Sequence, residues 1–245
     1  MEALGRLIAP DLIGMGDSDK LPDPDASTYS YKTHRDFLWA FIDAVVGHEQ
    51  LTLVVHDWGS ALGFEWAMRH QDRVAGIAYM EALVRPIADW NEFPQSATEF
   101  FRQIRTAAGE ELVLNQNLFV EQMLPGAVIR PLVAEEMNEY RRPFGTHDDR
   151  WPTLAWPREI PVGGEPADVV AILDAYGAWL TASNIPKLFI NAEPGIVLSG
   201  PSRDFCRTWA NQTEVTVPGI HFVQEDSGPE IGRAVADWIR NFRSR

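Results

Sequence analysis

Three side chains in this sequence could do hydrolytic chemistry together: Asp57, Glu81 and His221, in the chain order acid, acid, histidine. A carboxylate that attacks a saturated carbon forms an ester, and a base that activates water can then cleave that ester. Histidine suits the second task, and a further carboxylate orients the imidazole and steadies its cation. Asp57 stands in Leu51-Thr52-Leu53-Val54-Val55-His56-Asp57-Trp58-Gly59-Ser60-Ala61-Leu62-Gly63. Its first five residues are apolar or β-branched and read as a buried strand. A helical pattern follows at once. A strand that turns this sharply into a helix holds one side chain strained and exposed at the C-terminal edge of a sheet. Gly59 is the small residue expected to make the bend possible. An N-cap role would explain an aspartate at 57 but not that glycine.

The other two candidates fall at equivalent places. Val74 to Met80 reads as a second buried strand, with Glu81 at its C-terminal end. His221 lies in Pro218-Gly219-Ile220-His221-Phe222, a loop after the last strand. Ligands of open α/β sheets gather at such strand ends. Around them the chain alternates strands with helices, which implies a parallel sheet covered on both faces. Strands are expected at 6–10, 51–55, 74–80, 187–191 and 214–217. Helices are expected at 31–46, from the bend to about 70, and at 167–180, 202–209 and 229–242. On the first helix Phe37, Leu38, Phe41, Ile42 and Val45 share one face. Composition shifts after Glu81: residues 84–165 are rich in Pro, Trp, Phe and Glu. Short helical patterns at 97–106, 110–123 and 134–140 are divided by prolines, as in a helical cap inserted between core strands.

Bulk properties narrow the classes. The 245 residues suit one catalytic domain with an insertion, and nine Trp and twelve Phe give a large core. A net charge of −14 argues against nucleic acid or an anionic membrane as partner. Cys206 is the sole cysteine, so no internal disulfide can form. No apolar run reaches a membrane span. Met1-Glu2-Ala3-Leu4-Gly5 has no basic segment and no long apolar stretch, so a cytoplasmic location is expected.

The segment His56 to Gly63 resembles the nucleophile segment of haloalkane dehalogenases. So do Asp11-Leu12-Ile13-Gly14-Met15-Gly16-Asp17-Ser18-Asp19, Ala78-Tyr79-Met80-Glu81-Ala82, Phe189-Ile190-Asn191-Ala192-Glu193-Pro194-Gly195 and His221-Phe222-Val223-Gln224-Glu225-Asp226. They run in family order along nearly the whole chain, nearest to the subfamily with an Asp-His-Glu triad. The resemblance implies an α/β-hydrolase fold, with a mostly parallel sheet flanked by helices and an inserted helical cap. The core would be 1–83 and 166–245 and the cap 84–165. It implies that Asp57 displaces halide from a haloalkane, that His221 activates water against the ester, and that Glu81 supports His221. Trp58 would bind halide and contribute an oxyanion N–H. Leu83, Phe93, Phe101, Phe119, Pro166, Ile196 and Val197 would line the substrate pocket. No cofactor or metal is implied, and the partners are a small halogenated alkane, water and halide, with a homo-oligomer allowed.

The resemblance has one gap. The family carries an earlier strand ending in a His-Gly-Asn/Glu-Pro type loop, which supplies a second halide ligand and oxyanion donor, and two strands before it. This sequence opens on the following strand. An incomplete copy, a truncation paired with another chain, and a sheet closed over the gap are the three explanations, and the first is preferred. The rival functions are a Renilla-type coelenterazine luciferase and a catalytically impaired fragment. An epoxide hydrolase would need two cap tyrosines, where only Tyr140 is expected.

Overall fold

The computed structural model describes residues 4–243, so Met1 to Ala3 of the leader reading lie outside the described residues. Four parallel strands form one sheet in the order β1-β2-β3-β4: Leu51–His56, Val74–Ala82, Lys187–Pro194 and Gln212–Gly219. Val54 lies beside Ala78 and Asn191 beside Thr216, and the β1–β2 register shifts by one residue between Leu51 and Thr52. Strand periodicity sorts the side chains. Ile77, Tyr79 and Phe189 enter one core with Ile42, Leu62, Phe64 and Tyr176. Ala78, Met80, Leu188 and Ile190 enter the other, with Ile231, Val235 and Trp238. The helices that supply these residues are α1 (Tyr31–Val45), α2 (Asp57–Arg69), α6 (Ala167–Ala182) and α8 (Val223–Arg243).

Between β2 and α6 lie α3 (Gln95–Ile104), α4 (Ala134–Arg141) and α5 (Trp151–Glu159). They are joined by π-helical turns at Glu111–Asn115 and Phe119–Met123. The single helix expected over 110–123 is broken, with Asn117 at φ +53°. Helix α5 was not expected at all, because Pro152 and Pro157 read as breaks. Pro152 occupies the first turn, where no N–H is needed, and Pro157 sits near the end. The helix α7 (Gly200–Cys206) completes the set.

Two further expectations fail. Residues 6–10 form no strand; they are exposed and pair with nothing in the sheet. A strand needs a neighbour for its N–H and C=O groups, and β1 ends the sheet on that side. The sheet has therefore not closed between the two. On α1 the expected face holds for Leu38, Phe41 and Ile42, which pack on the core, but Phe37 is exposed and the most buried residues include Tyr31 and His34. Tyr31 supplies the reason: its hydroxyl, a single donor, lies 3.0 Å from the Glu65 carboxylate and 3.1 Å from the Ala61 carbonyl, which share its proton and turn that face inward.

The open edge sets a contrast in stability. Ile77→Ala, at a fully buried position of β2, should cost about 2–5 kcal/mol. Val54→Thr, on the exposed side of β1, should stay within about 0.5 kcal/mol. Denaturant unfolding of the two variants checks the difference, and equal losses would mean that the outer face of β1 is covered.

Candidate active site

Asp57 has φ +46°, a left-handed conformation that a non-glycine residue rarely holds. It is the first residue of α2 directly after β1, which makes the bend the tight elbow read in the sequence. Ser60 braces it: its Oγ donates to the Asp57 carbonyl at 2.5 Å and accepts from the Leu83 N–H at 2.9 Å, linking the elbow to the end of β2. The reason given for Gly59 is overturned, since a Cβ there would meet nothing within 4 Å. The close approach of helix and strand is at Gly63, where a Cβ would lie 2.8 Å from Val55 Cγ1.

Glu81 is 1% exposed and also has positive φ, +41°. Its carboxylate accepts three backbone N–H groups from the loop after β3: Ile196 at 3.0 Å, Val197 at 2.8 Å and Leu198 at 3.2 Å. A buried carboxylate requires such compensation. The loop can wrap this closely because residue 195 is glycine at φ +65°; a Cβ there would lie 2.9 Å from Glu81 Oε1. His221 completes the group. Its Nδ1 lies 3.4 Å from Glu81 Oε2 and its Nε2 lies 3.7 Å from Asp57 Oδ1. The imidazole thus stands between two carboxylates, one facing each ring nitrogen.

These charges set its proton affinity. Burial disfavours the imidazolium, but Asp57 and Glu81 outweigh it and raise the His221 pKa above the usual 6.5. His56, beside it, is pushed down to about 4, first by burial and then by the His221 charge. The two histidines act oppositely on stability. The His221 contribution is full below pH 6.5 and lost as pH rises through its folded value. The His56 contribution is full above pH 6.5 and lost as pH falls toward 4.

A cavity of about 370 Å³ opens over this group. Leu83, Phe93, Phe101, Phe119, Ile196 and Val197 line it, as expected, with Asp57 and Trp58 at its floor. The Trp58 indole stacks on Trp156, with centroids 4.7 Å apart and planes at 29°. Pro166 is not in the wall. It is the residue before α6, carried outward by the exposed turn 163–165. Sequence reasoning missed Met123, Ala127, Trp156 and Ile160, which do line it. Helical spacing in α5 would have offered Trp156 and Ile160 together, had the prolines not concealed that helix. No asparagine lines the cavity among the described residues.

A parallel sheet, a strained elbow and an acid–histidine pair at the strand ends define the α/β-hydrolase class. A family model described as the alpha/beta hydrolase fold matches residues 5–227. A haloalkane dehalogenase of Sphingobium indicum is 58% identical over 241 residues, covering 98% of this chain and 81% of that protein. One from Mycolicibacterium smegmatis is 52% identical over 246 residues, covering 99% and 78%. The crystal structure of haloalkane dehalogenase DbeA from Bradyrhizobium elkani superposes with TM-score 0.89 at 43% identity, covering 96% of this chain and 80% of that one. The chain belongs to the haloalkane dehalogenase family. Relatives of this kind do not favour the luciferase reading. Among the described residues no helix is long and apolar enough to cross a membrane.

Replacing Asp57 by Asn should lower the His221 pKa, because one of its two raising charges goes while burial stays. Titration of the imidazole by NMR reads the shift. An unchanged midpoint would mean that the 3.7 Å approach carries no electrostatic coupling.

Proposed function

We propose that this protein hydrolyses haloalkanes to alcohol and halide through a covalent ester on Asp57. The observation that carries the reading is His221 held between Asp57 and the buried Glu81 beneath an apolar cavity. On the same reading residues 84–165 form the cap, and 1–83 with 166–245 the core.

In the first step an Asp57 carboxylate oxygen attacks the carbon bearing the halogen. The C–O bond forms as the C–X bond breaks, and the electron pair leaves with the halide. Holding the two reactants in line can supply roughly 7–11 kcal/mol of the barrier. The indole N–H of Trp58 donates to the halide as charge develops on it. Apolar walls leave that charge few other partners, and about 370 Å³ suits a small alkane.

The second step uses the electrostatics of the site. Esterification removes the Asp57 charge, so the burial that lowers the His221 pKa is opposed only by Glu81. Its pKa therefore falls once the ester exists, which favours the neutral imidazole that can act as a base. His221 takes a proton from water, the oxygen attacks the ester carbonyl carbon, and collapse expels the alcohol and restores the carboxylate. Glu81 stabilises the imidazolium in the interval. Haloalkane and water become alcohol, halide and a proton.

His221→Phe, incubated with 1,2-dibromoethane, should release about one bromide per chain and retain a bromoethyl group on the peptide holding residues 51–63, read by mass spectrometry. Asp57→Ala should release none. Trp58→Phe should lower the bromide-release rate about 10²–10³-fold. Steady turnover by Asp57→Ala, or single-turnover hydrolysis in ¹⁸O water that leaves Asp57 unlabelled, would overturn the two-step scheme.

A further inference from the structure

We propose that His56 is a positioning residue for ester hydrolysis, holding the catalytic base in place through the base's own backbone. His56 ends β1, immediately before the elbow. Its Nε2 lies 2.7 Å from the His221 carbonyl oxygen. A carbonyl can only accept, so Nε2 carries the proton and donates it. The two imidazoles lie against each other with centroids 4.8 Å apart, and the Phe222 ring lies 6.1 Å from that of His56. On its other side the His221 peptide donates its N–H to the Ala127 carbonyl at 3.0 Å. The Phe222 N–H donates to the same Ala127 carbonyl at 3.2 Å. The loop after β4 has no regular structure to fix it, so these three bonds set where the His221 backbone lies. The strand that carries the attacking carboxylate thereby also holds the base.

The charge of His56 matters as much as its bond. The titratable groups facing it are Asp57, Glu81 and His221. Burial keeps it neutral down to about pH 4. A neutral ring donates to the carbonyl without adding a second cation when His221 takes the proton from water. A lysine or arginine could also donate there, but its charge would oppose that imidazolium. The first step, attack by Asp57, needs no proton transfer and does not depend on this bond.

The proposal rests on the two-step reading, and the test separates them. Single-turnover kinetics with 1,2-dibromoethane measure ester formation and ester hydrolysis apart in wild type, His56→Phe and His56→Gln. His56→Phe should slow hydrolysis about 10–100-fold and leave ester formation within about threefold, the expected scale for a displaced catalytic group. His56→Gln keeps an amide donor and should recover most of the loss. In the wild-type protein, long-range ¹H–¹⁵N correlation should find His56 with its proton on Nε2 and no titration above pH 5. Equal losses in both steps, no loss in either, or a glutamine variant as slow as the phenylalanine one would overturn the proposal. So would a wild-type His56 protonated on Nδ1 or titrating near 6.5, and that measurement decides the matter should His56→Phe not fold. Wild-type protein that forms no ester at all would instead overturn the dehalogenase reading.

Discussion

The site depends on one electrostatic arrangement, a buried imidazole between two carboxylates of unlike mobility. At 3.4 to 3.7 Å, opposite charges attract by roughly 4–5 kcal/mol at an effective dielectric near 20. Burying each ion costs several kcal/mol, so the pairs alone would not hold. Glu81 is held because three N–H groups of one loop converge on it. It is therefore a fixed charge, whereas Asp57, about a third exposed toward the cavity, is free to react. That asymmetry separates a fixed carboxylate from an accessible one, though both stand at strand ends.

The sheet explains why the three side chains meet at all. Parallel strands put all their C-terminal ends on one side, so Asp57 after β1, Glu81 at the end of β2, the 196–198 loop after β3 and His221 after β4 share a rim. The pairing of Asp57 with Ala82 as an isolated bridge extends β1–β2 contact one step past the strand and aligns the elbow with Glu81. Left-handed backbone at both Asp57 and Glu81 turns each side chain off the strand course. Such conformations cost about 1–3 kcal/mol each and persist only where the surroundings fix them. Ser60 and the loop after β3 provide that fixing.

Much of this was legible in the sequence. The apolar run at 51–55 followed at once by helical spacing marked the elbow, and Glu81 and His221 were found by their place after apolar strands. What stayed hidden was set by tertiary contact. Nothing local distinguishes Gly195 as the residue that lets a backbone close on Glu81, and the glycine chosen at the elbow, Gly59, was the wrong one for packing. Residues 6–10 have a strand's composition but lie outside the sheet, and composition cannot show whether a segment has a strand beside it. Prolines misled in both directions. Pro152 and Pro157 lie inside a helix that buries Trp151, Leu154 and Trp156, while Pro166, assigned to the pocket, only introduces the next one. The pocket aromatics came from the family resemblance alone, because a cavity wall and a core draw on the same residue types and spacing does not separate the two uses.

The two adjacent histidines carry the argument one step further. His56 and His221 lie 4.8 Å apart and are driven in opposite directions, one down to about 4 and the other above 6.5. Their environments differ in what faces the ring nitrogens. His221 has a carboxylate at each, whereas His56 has a carbonyl at Nε2 and feels Asp57 and Glu81 only at longer range. The first proton to enter therefore resides on His221, whose affinity for it is raised, and not on His56, whose affinity is lowered. A second proton would have to enter against burial and an existing cation. The pair thus admits one charge, in the one place where two carboxylates can answer it. On the proposed two-step reading, esterification of Asp57 removes one of those answers, and the burial that lowers both histidines then favours release of the proton of His221.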